Sequence, residues 1–200
     1  ANDLRLSQLY GGGGNSGATY TNDFMEIFNA GTNSINLSGY SVQYASSTGS
    51  SWQVTNLSGS IGPGQYFLIQ QAQGSGGTTP LPTPDVVGTI AMGASGGKAA
   101  LVNTVTPLTG TCPTGAQIID FVGFSASANC YEGSGPSPAP SNTTAAIRNS
   151  AGCTDTDDNA ADFTAGAPTP RNTASPTNSC GVDVPPTVTD TNPADGEANV

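Results

Sequence analysis

The chain of 200 residues is long enough for one domain with a substantial core or for two very small ones, and its 27 Gly, 15 Pro and 9% charged residues favour an all-β protein rich in turns. Four basic residues against fourteen acidic ones give a net charge of -10, which disfavours direct binding to nucleic acids and to anionic membranes. The absence of His excludes Ser-His-Asp and Cys-His catalysis within these residues, and no apolar run reaches the roughly 18 residues that a membrane span needs.

Nine short segments rich in β-forming residues are predicted to be strands. In chain order they are 4–9, 24–29, 40–44, 51–55, 65–71, 86–92, 99–103, 117–124 and 145–148. Residues 40–44 alternate between apolar and polar side chains, which predicts one solvated face, whereas 67–69 and most of 118–122 are apolar on both faces, as in central strands. Turn signals separate the segments at the intervals of a β-sandwich. We expect its core to contain Phe24, Ile27, Phe28, Val42, Trp52, Phe67, Ile69, Leu101, Ile119 and Phe121.

Segments rich in glycine and proline are predicted to form loops. The four consecutive glycines at 11–14 allow positive φ and predict a loop that is either mobile or tightly folded. They are not a phosphate-binding loop, because the Lys-Ser/Thr of that motif is missing. Residues 74–84 and 133–140 predict long surface loops, the second with polyproline-like character.

Four cysteines lie too far apart in sequence for a Cys-x-x-Cys zinc or redox motif: Cys112, Cys130, Cys153 and Cys180. An even number of isolated cysteines in a chain of this composition predicts two disulfides formed outside the cytosol, and therefore a secreted or extracellular protein. Three pairings are open. We favour Cys112 with Cys130 and Cys153 with Cys180, because each of these bonds closes a local loop.

Glu26 is a carboxylate inside an otherwise apolar strand. By strand periodicity it shares a face with Phe24 and Phe28, so we expect it to be drawn toward the core and to be paired. Arg148 is the expected partner, since cations are scarce in this chain; the alternative is that Glu26 joins a metal site. Asp120, within 119–122, is open to the same two interpretations.

The acidic turn near residue 155 is the one constellation that could bind a metal. Asp155, Asp157, Asn159 and Asp162 place oxygen ligands at positions 1, 3, 5 and 8, a spacing that lets one loop surround a calcium ion. The EF-hand glycine at position 6 and glutamate at position 12 are absent. The alternative is an ordinary turn in which Asp and Asn bond to their own backbone. No other cofactor is expected.

The order of several short motifs resembles the lamin tail domain family. They are Phe24-Met25-Glu26-Ile27-Phe28-Asn29, Leu37-Ser38-Gly39-Tyr40-Ser41-Val42, Ala145-Ala146-Ile147-Arg148, the acidic stretch 155–163 and the closing segment 167–172. The resemblance covers residues 4–176 and implies an immunoglobulin-like β-sandwich that is not itself catalytic. The Gly/Pro insertions and the four cysteines are not general features of the family. They suit the members found at the front of large secreted bacterial nucleases and phosphoesterases.

Two domain segments are predicted. Residues 1–180 form the lamin-tail-like sandwich, and 181–200 form a linker and the start of a following domain that resembles bacterial immunoglobulin-like domains. We therefore expect the natural protein to be longer than 200 residues.

The resulting hypothesis is a non-catalytic extracellular module that acts as spacer, docking or binding unit in a larger secreted protein, a nuclease or phosphoesterase. Its expected partners are other domains of the same polypeptide. The alternative is a surface adhesin or carbohydrate-binding module, in which aromatic side chains stack on the rings of a glycan. The candidates for such stacking are Tyr20, Tyr40, Tyr44, Trp52 and Tyr131. A third possibility, an enzyme in its own right, is disfavoured by the lack of His.

Overall fold

The computed structural model describes residues 3–181 of the chain. Twelve strands lie in this range: β1 (Leu4–Tyr10), β2 (Asn22–Asn29), β3 (Ile35–Asn36), β4 (Ser41–Ala45), β5 (Gln53–Asn56), β6 (Ser60–Ile61), β7 (Tyr66–Gln73), β8 (Val86–Val87), β9 (Gly97–Val102), β10 (Ile118–Phe124), β11 (Ala145–Arg148) and β12 (Phe163–Gly166). A 3-10 turn at Ser150–Gly152 and a single helical turn, α1 (Asn159–Asp162), precede β12. The predicted following domain falls on residues that lie outside the described range.

The strands form two principal sheets. One has the order β12-β11-β1-β2-β7-β8, the other has the order β10-β9-β4-β5, and β3 pairs with β6 beside them. All pairs are antiparallel except β7 with β8, which are parallel. The inner faces of the two principal sheets share one apolar cluster that includes Leu6, Ile27, Val42, Leu101 and Val122. The predicted all-β sandwich is confirmed.

Both principal sheets are also covered on their outer faces. Trp52, Ala100 and Phe121 form a second apolar cluster outside the four-stranded sheet, and Tyr10, Phe24 and Leu68 form a third outside the six-stranded sheet. Nine of the ten predicted core residues are buried, and the tenth, Ile119, packs partly buried against the inner cluster. The core prediction is thus confirmed, although its members are divided among three layers rather than one.

The predicted solvated face of residues 40–44 is wrong. Every residue of β4 is buried, because residues 103–117, which we call the covering segment, fold back over its outer face. Gln43 Nε2 donates to Thr106 O at 2.9 Å, and Gln43 Oε1 accepts from Leu108 N at 2.8 Å. A polar side chain on this strand therefore satisfies its hydrogen bonds within the protein instead of in water.

The predicted strand 86–92 is shortened to Val86–Val87. Beyond Gly88 the backbone pairing is incomplete. The N–H of Ile90 donates to the side-chain oxygen Oε1 of Gln71 at 3.0 Å, whereas the Ile90 carbonyl still accepts from Ala72 N at 3.0 Å. The sequence-based strands also omit the two-residue elements β3 and β6, which are too short to carry a periodic signal.

The glycine run at 11–14 is tightly folded, the second of the two alternatives predicted for it. A Cβ atom at Gly13 would lie 1.9 Å from the carbonyl carbon of Asn22, and Gly14 has φ of +70°. Any larger residue at Gly13 would have to displace the entry of β2.

Two disulfides join Cys112 to Cys130 and Cys153 to Cys180, with Cα–Cα distances of 5.2 and 5.3 Å. The first connects the covering segment on the four-stranded sheet to the loop after β10. The second connects the 3-10 turn to the end of the described chain. Both pairings are the ones that local loop closure favours.

Candidate functional site

Glu26 is fully buried on the outer face of the six-stranded sheet, where Arg171 is its partner. Arg171 Nη2 donates to Glu26 Oε1 at 2.7 Å, and the backbone N–H of Arg171 donates to Oε2 at 2.7 Å. Ser7 Oγ and Gln8 Nε2 donate to the same carboxylate at 2.6 and 3.0 Å. Burial raises the pKa of Glu26, and the Arg171 guanidinium acts in the opposite direction.

The predicted pairing of Glu26 with Arg148 is wrong, because the two side chains lie on opposite faces of the same sheet. Gln8 of β1 is aligned with Glu26 on one side and with Ile147 on the other, so these three share the outer face. Arg148 follows Ile147 directly and therefore points inward. Its guanidinium lies 4.5 Å from the ring centroid of Phe163, a member of the inner cluster.

Residues 167–180, which we call the C-terminal strap, cover the outer face around Glu26. Gln8 and Thr169 exchange two hydrogen bonds, with Gln8 Nε2 donating to Thr169 O at 2.7 Å and Thr169 N donating to Gln8 Oε1 at 3.0 Å. The Arg171 guanidinium lies 3.5 Å from the ring centroid of Tyr66. Glu26 therefore anchors the C-terminal strap. Its charge is tolerated in the buried site because the carboxylate is fully hydrogen-bonded.

Arg148 is the centre of a second buried network, located between the two sheets. Its guanidinium contacts carboxylate oxygens of Asp120 at 2.7 Å, Asp155 at 3.1 Å and Asp162 at 3.4 Å. The N–H of Leu6 also donates to Asp120, at 2.6 Å. Burial raises the pKa of Asp120, while the charge of Arg148 lowers it. Asp120 thus joins β10 to β11 through an ion pair and to β1 through a hydrogen bond. The ion pair is the first of its two predicted roles.

The side chains predicted to bind calcium accept hydrogen bonds from different groups of the protein. Asp162 accepts from the N–H and the hydroxyl of Thr156, at 2.9 and 2.7 Å, in addition to Arg148. Asn159 Oδ1 instead points to β10, where it accepts from Gly123 N at 2.9 Å. Asp157 occupies the left-handed region with φ of 55°.

Within residues 3–181, no three acidic, Cys or His side chains converge in a way that could hold a metal ion. The contacts of the acidic turn favour an ordinary loop whose charge is neutralised by Arg148. Calcium binding there stays a prediction.

Lys98 is a buried cation that sequence reasoning did not identify. Its ammonium group donates to Gly49 O at 2.8 Å, Thr111 O at 2.5 Å and Asn129 Oδ1 at 2.7 Å. Burial lowers the pKa of this lysine. Three neutral acceptors saturate the three ammonium protons, so Lys98 ties together loops outside the four-stranded sheet.

Beside the first disulfide lies a cavity of about 320 Å³, which we call the Tyr131 pocket. It is lined by the Cys112–Cys130 disulfide, Ile118, Phe121, Tyr131 and Glu132, among others. Burial, together with the charges of Asp120, Asp157 and Asp155, raises the pKa of Glu132 to about 8. No local motif marks this pocket, because it is assembled from segments on both sides of β10.

The aromatic candidates for sugar stacking differ greatly in exposure. Trp52 and Tyr44 are buried at 6% and 4% exposure, so neither can present a ring to a glycan. Tyr20 and Tyr40 are partly buried. Tyr131 is 41% exposed and lines the pocket that bears its name.

Comparisons with known proteins agree with this architecture. The model of the family described as the lamin tail domain, an immunoglobulin-like and non-catalytic domain family, matches residues 1–153. The crystal structure of a DUF4876 family protein from Bacteroides thetaiotaomicron VPI-5482 is similar, with a TM-score of 0.54 and 13% identity over 84% of this chain and 72% of that one. At this identity the likeness shows the fold alone.

No curated protein matches the chain. Among the described residues, no helix is long and apolar enough to cross a membrane. The family model spans well over half of the sequence. The chain belongs to the lamin tail domain family.

Proposed function

We propose that this chain is a non-catalytic extracellular module that spaces or docks the parts of a larger secreted protein, a nuclease or phosphoesterase. The observation that carries the proposal is the use of its buried charges. Glu26 is held by Arg171, and Asp120 and Asp162 are held by Arg148, so these buried carboxylates are paired within the sandwich. Groups that serve as acid or base must instead reach a substrate.

The extracellular part of the proposal is supported by the cysteines. All four are in disulfides, and each bond joins a segment that covers a sheet to a loop or turn next to that sheet. Disulfides of this kind persist in oxidising compartments and are rare in the cytosol. The nuclease or phosphoesterase identity of the parent rests on the cysteine-bearing, loop-rich form of the family that the sequence resembles.

A hydrolysis assay tests the non-catalytic role. The purified chain is incubated with DNA and with bis(p-nitrophenyl) phosphate in the presence of magnesium, manganese or calcium, beside an active nuclease as positive control. We expect no hydrolysis above the buffer rate. Turnover that scales with protein concentration and that is lost on Glu132→Gln would overturn the proposal, since Glu132 is a carboxylate that lines an open cavity.

The adhesin or carbohydrate-binding alternative depends on one observation, the exposed ring of Tyr131 beside a cavity. A glycan array probed with the purified chain and with Tyr131→Ala tests it. Binding to a defined glycan that the variant loses would establish this function, whereas equal signals from both proteins would remove it.

A further inference from the structure

We propose that the Tyr131 pocket binds one cationic side chain, a Lys or an Arg, presented by a partner protein. The inference rests on the proposed docking role and names its chemistry. Tyr131 and Glu132 are adjacent in sequence and line the same cavity. An aromatic ring attracts a cation to its face, and a carboxylate forms charge-assisted hydrogen bonds with ammonium and guanidinium groups.

Among the described residues, Glu132 is not paired with a cation. None of the ion pairs among residues 3–181 includes it. Arg148 is surrounded by three other carboxylates, and Arg171 is bound to Glu26. Lys98 donates to neutral oxygens, and Arg5 lies 3.6 Å from a carboxylate oxygen of Asp155. The Glu132 carboxylate accepts a long hydrogen bond, from Asn159 Nδ2 to Oε2 at 3.4 Å.

The charges around Glu132 favour the addition of positive charge. Burial and the charges of Asp120, Asp157 and Asp155 together raise its pKa to about 8, although the charge of Arg148 acts in the opposite direction. In the free protein a proton neutralises the group at neutral pH. A cation that enters the pocket can displace this proton, because the same negative potential stabilises it.

The backbone at the pocket is held in place before any ligand arrives. Buried Asn159 accepts from Gly123 N at 2.9 Å and from Glu132 N at 3.1 Å, and it donates to Phe121 O at 3.0 Å. The N–H of Asn159 in turn donates to Glu132 O at 3.0 Å. The Cys112–Cys130 bond joins the two loop segments that line the pocket, so its lining is ordered before binding, which reduces the entropy cost.

The cavity volume suits a single side chain with its flanking backbone. At about 320 Å³ it lies at the lower end of the range for small-molecule sites. The net charge of -10 extends the complementarity to the whole partner, since a basic segment is attracted at long range by an acidic surface.

The test is an NMR titration of the full, isotopically labelled chain with blocked Gly-Arg-Gly. The matched neutral probe is blocked Gly-citrulline-Gly, which keeps the shape and removes the charge. We expect the arginine peptide to shift the signals of residues 112–118 and 130–132 in a saturable manner, and the citrulline peptide to leave them unchanged. Absence of such shifts with the arginine peptide would overturn the inference.

Variants and pH separate a direct contact from a structural effect. Glu132→Gln should weaken binding of the arginine peptide about tenfold or more, and Tyr131→Ala about two- to fivefold. Asp3→Asn, which removes an exposed charge elsewhere, should change it less than about twofold. Wild-type affinity should rise as pH increases through about 8, the pKa of Glu132, and Glu132→Gln should abolish this rise.

Failure of this inference is distinguishable from failure of the proposed function. Binding of neutral oligosaccharides at Tyr131 that is indifferent to Glu132→Gln would replace the cation by a glycan. Loss of peptide binding with no hydrolytic activity would overturn the inference and leave the non-catalytic role standing.

Discussion

The carboxylate of Glu26 and the guanidinium of Arg171 are 145 residues apart in sequence and 2.7 Å apart in the fold. This contact joins the second strand of the sandwich to the C-terminal strap, which lies beyond residue 153, where the family match ends. The folded unit therefore extends past the matched region. Without the strap, Glu26 and its apolar neighbours on the outer face would be exposed to water.

Removal of Arg171 should destabilise the protein strongly. We expect Arg171→Ala to lower the free energy of unfolding by about 3 kcal/mol, because it leaves a fully buried carboxylate without its counter-ion. Urea denaturation monitored by tryptophan fluorescence measures the change. Val87→Ala, at a side chain that is 63% exposed, is the control and should cost less than about 0.5 kcal/mol.

A double-mutant cycle identifies the partner of Glu26. Glu26→Gln combined with Arg171→Ala should show a coupling energy above about 1 kcal/mol, and Glu26→Gln combined with Arg148→Ala should show almost none. The reverse result would restore the pairing with Arg148 that sequence reasoning favours.

The two disulfides should differ in their contribution to the free energy of unfolding and in the region that they stabilise. Loss of Cys153–Cys180, which closes a separation of 27 residues, should cost about 3.5 kcal/mol, and loss of Cys112–Cys130, which closes 18, about 3 kcal/mol. Hydrogen exchange on the Cys153→Ser/Cys180→Ser variant should show faster exchange in the strap than in β9. Uniform acceleration in both regions would mean that this bond does not act locally on the strap.

Calcium should have little effect on stability, given the contacts of the acidic turn. Asp155 and Asp162 are neutralised by Arg148, and Asn159 is engaged by β10. A binding ion would raise the melting temperature by mass action, so thermal melts with calcium and with chelator provide the measurement. We expect equal midpoints. A calcium-dependent rise that Asp157→Ala removes, but Asp3→Asn retains, would establish the site that the 1-3-5-8 spacing suggests.

Asp23 should make the protein less stable as pH rises toward neutrality. It is buried at 4% exposure, and burial raises its pKa from 3.8 to about 7, although the N–H groups of Met92 and Gly13 act in the opposite direction. Between these two values the folded state binds more protons than the unfolded state, so the contribution of Asp23 to the free energy of unfolding falls with pH and levels off above about 7. The fall is at most about 4 kcal/mol.

The matched variant is Asp23→Asn, which keeps an oxygen for the N–H of Met92 and cannot ionise. Its stability relative to wild type should increase from pH 4 to pH 7, as measured by urea denaturation across that range. A constant difference across this range would show that Asp23 does not titrate there.

Local sequence patterns predicted much of the sandwich. The strand 24–29 and the core residues Phe67 and Leu101 follow from short apolar runs bounded by turn residues, and such runs depend on neighbours only a few positions away. The disulfide pairing also follows from sequence distance, because closing a short loop costs less entropy than closing a long one.

Local sequence patterns did not predict the contacts between residues that are distant in the chain. The face of the sheet on which Arg148 lies depends on its register with Gln8, and register is set by strand pairing across the whole chain. The burial of β4 on both sides likewise depends on a covering segment that is distant in sequence.

The sequence by itself determined that this chain is an acidic, disulfide-bonded β-sandwich without a histidine-based active site, because composition, cysteine count and strand periodicity are local properties. Only the tertiary structure decided that Arg171 neutralises Glu26 and that Tyr131 and Glu132 line an open cavity. The physical reason is that electrostatic partners and cavities are defined by distances in space. Here those distances are created by folding of the strap and of the covering segment onto the two sheets.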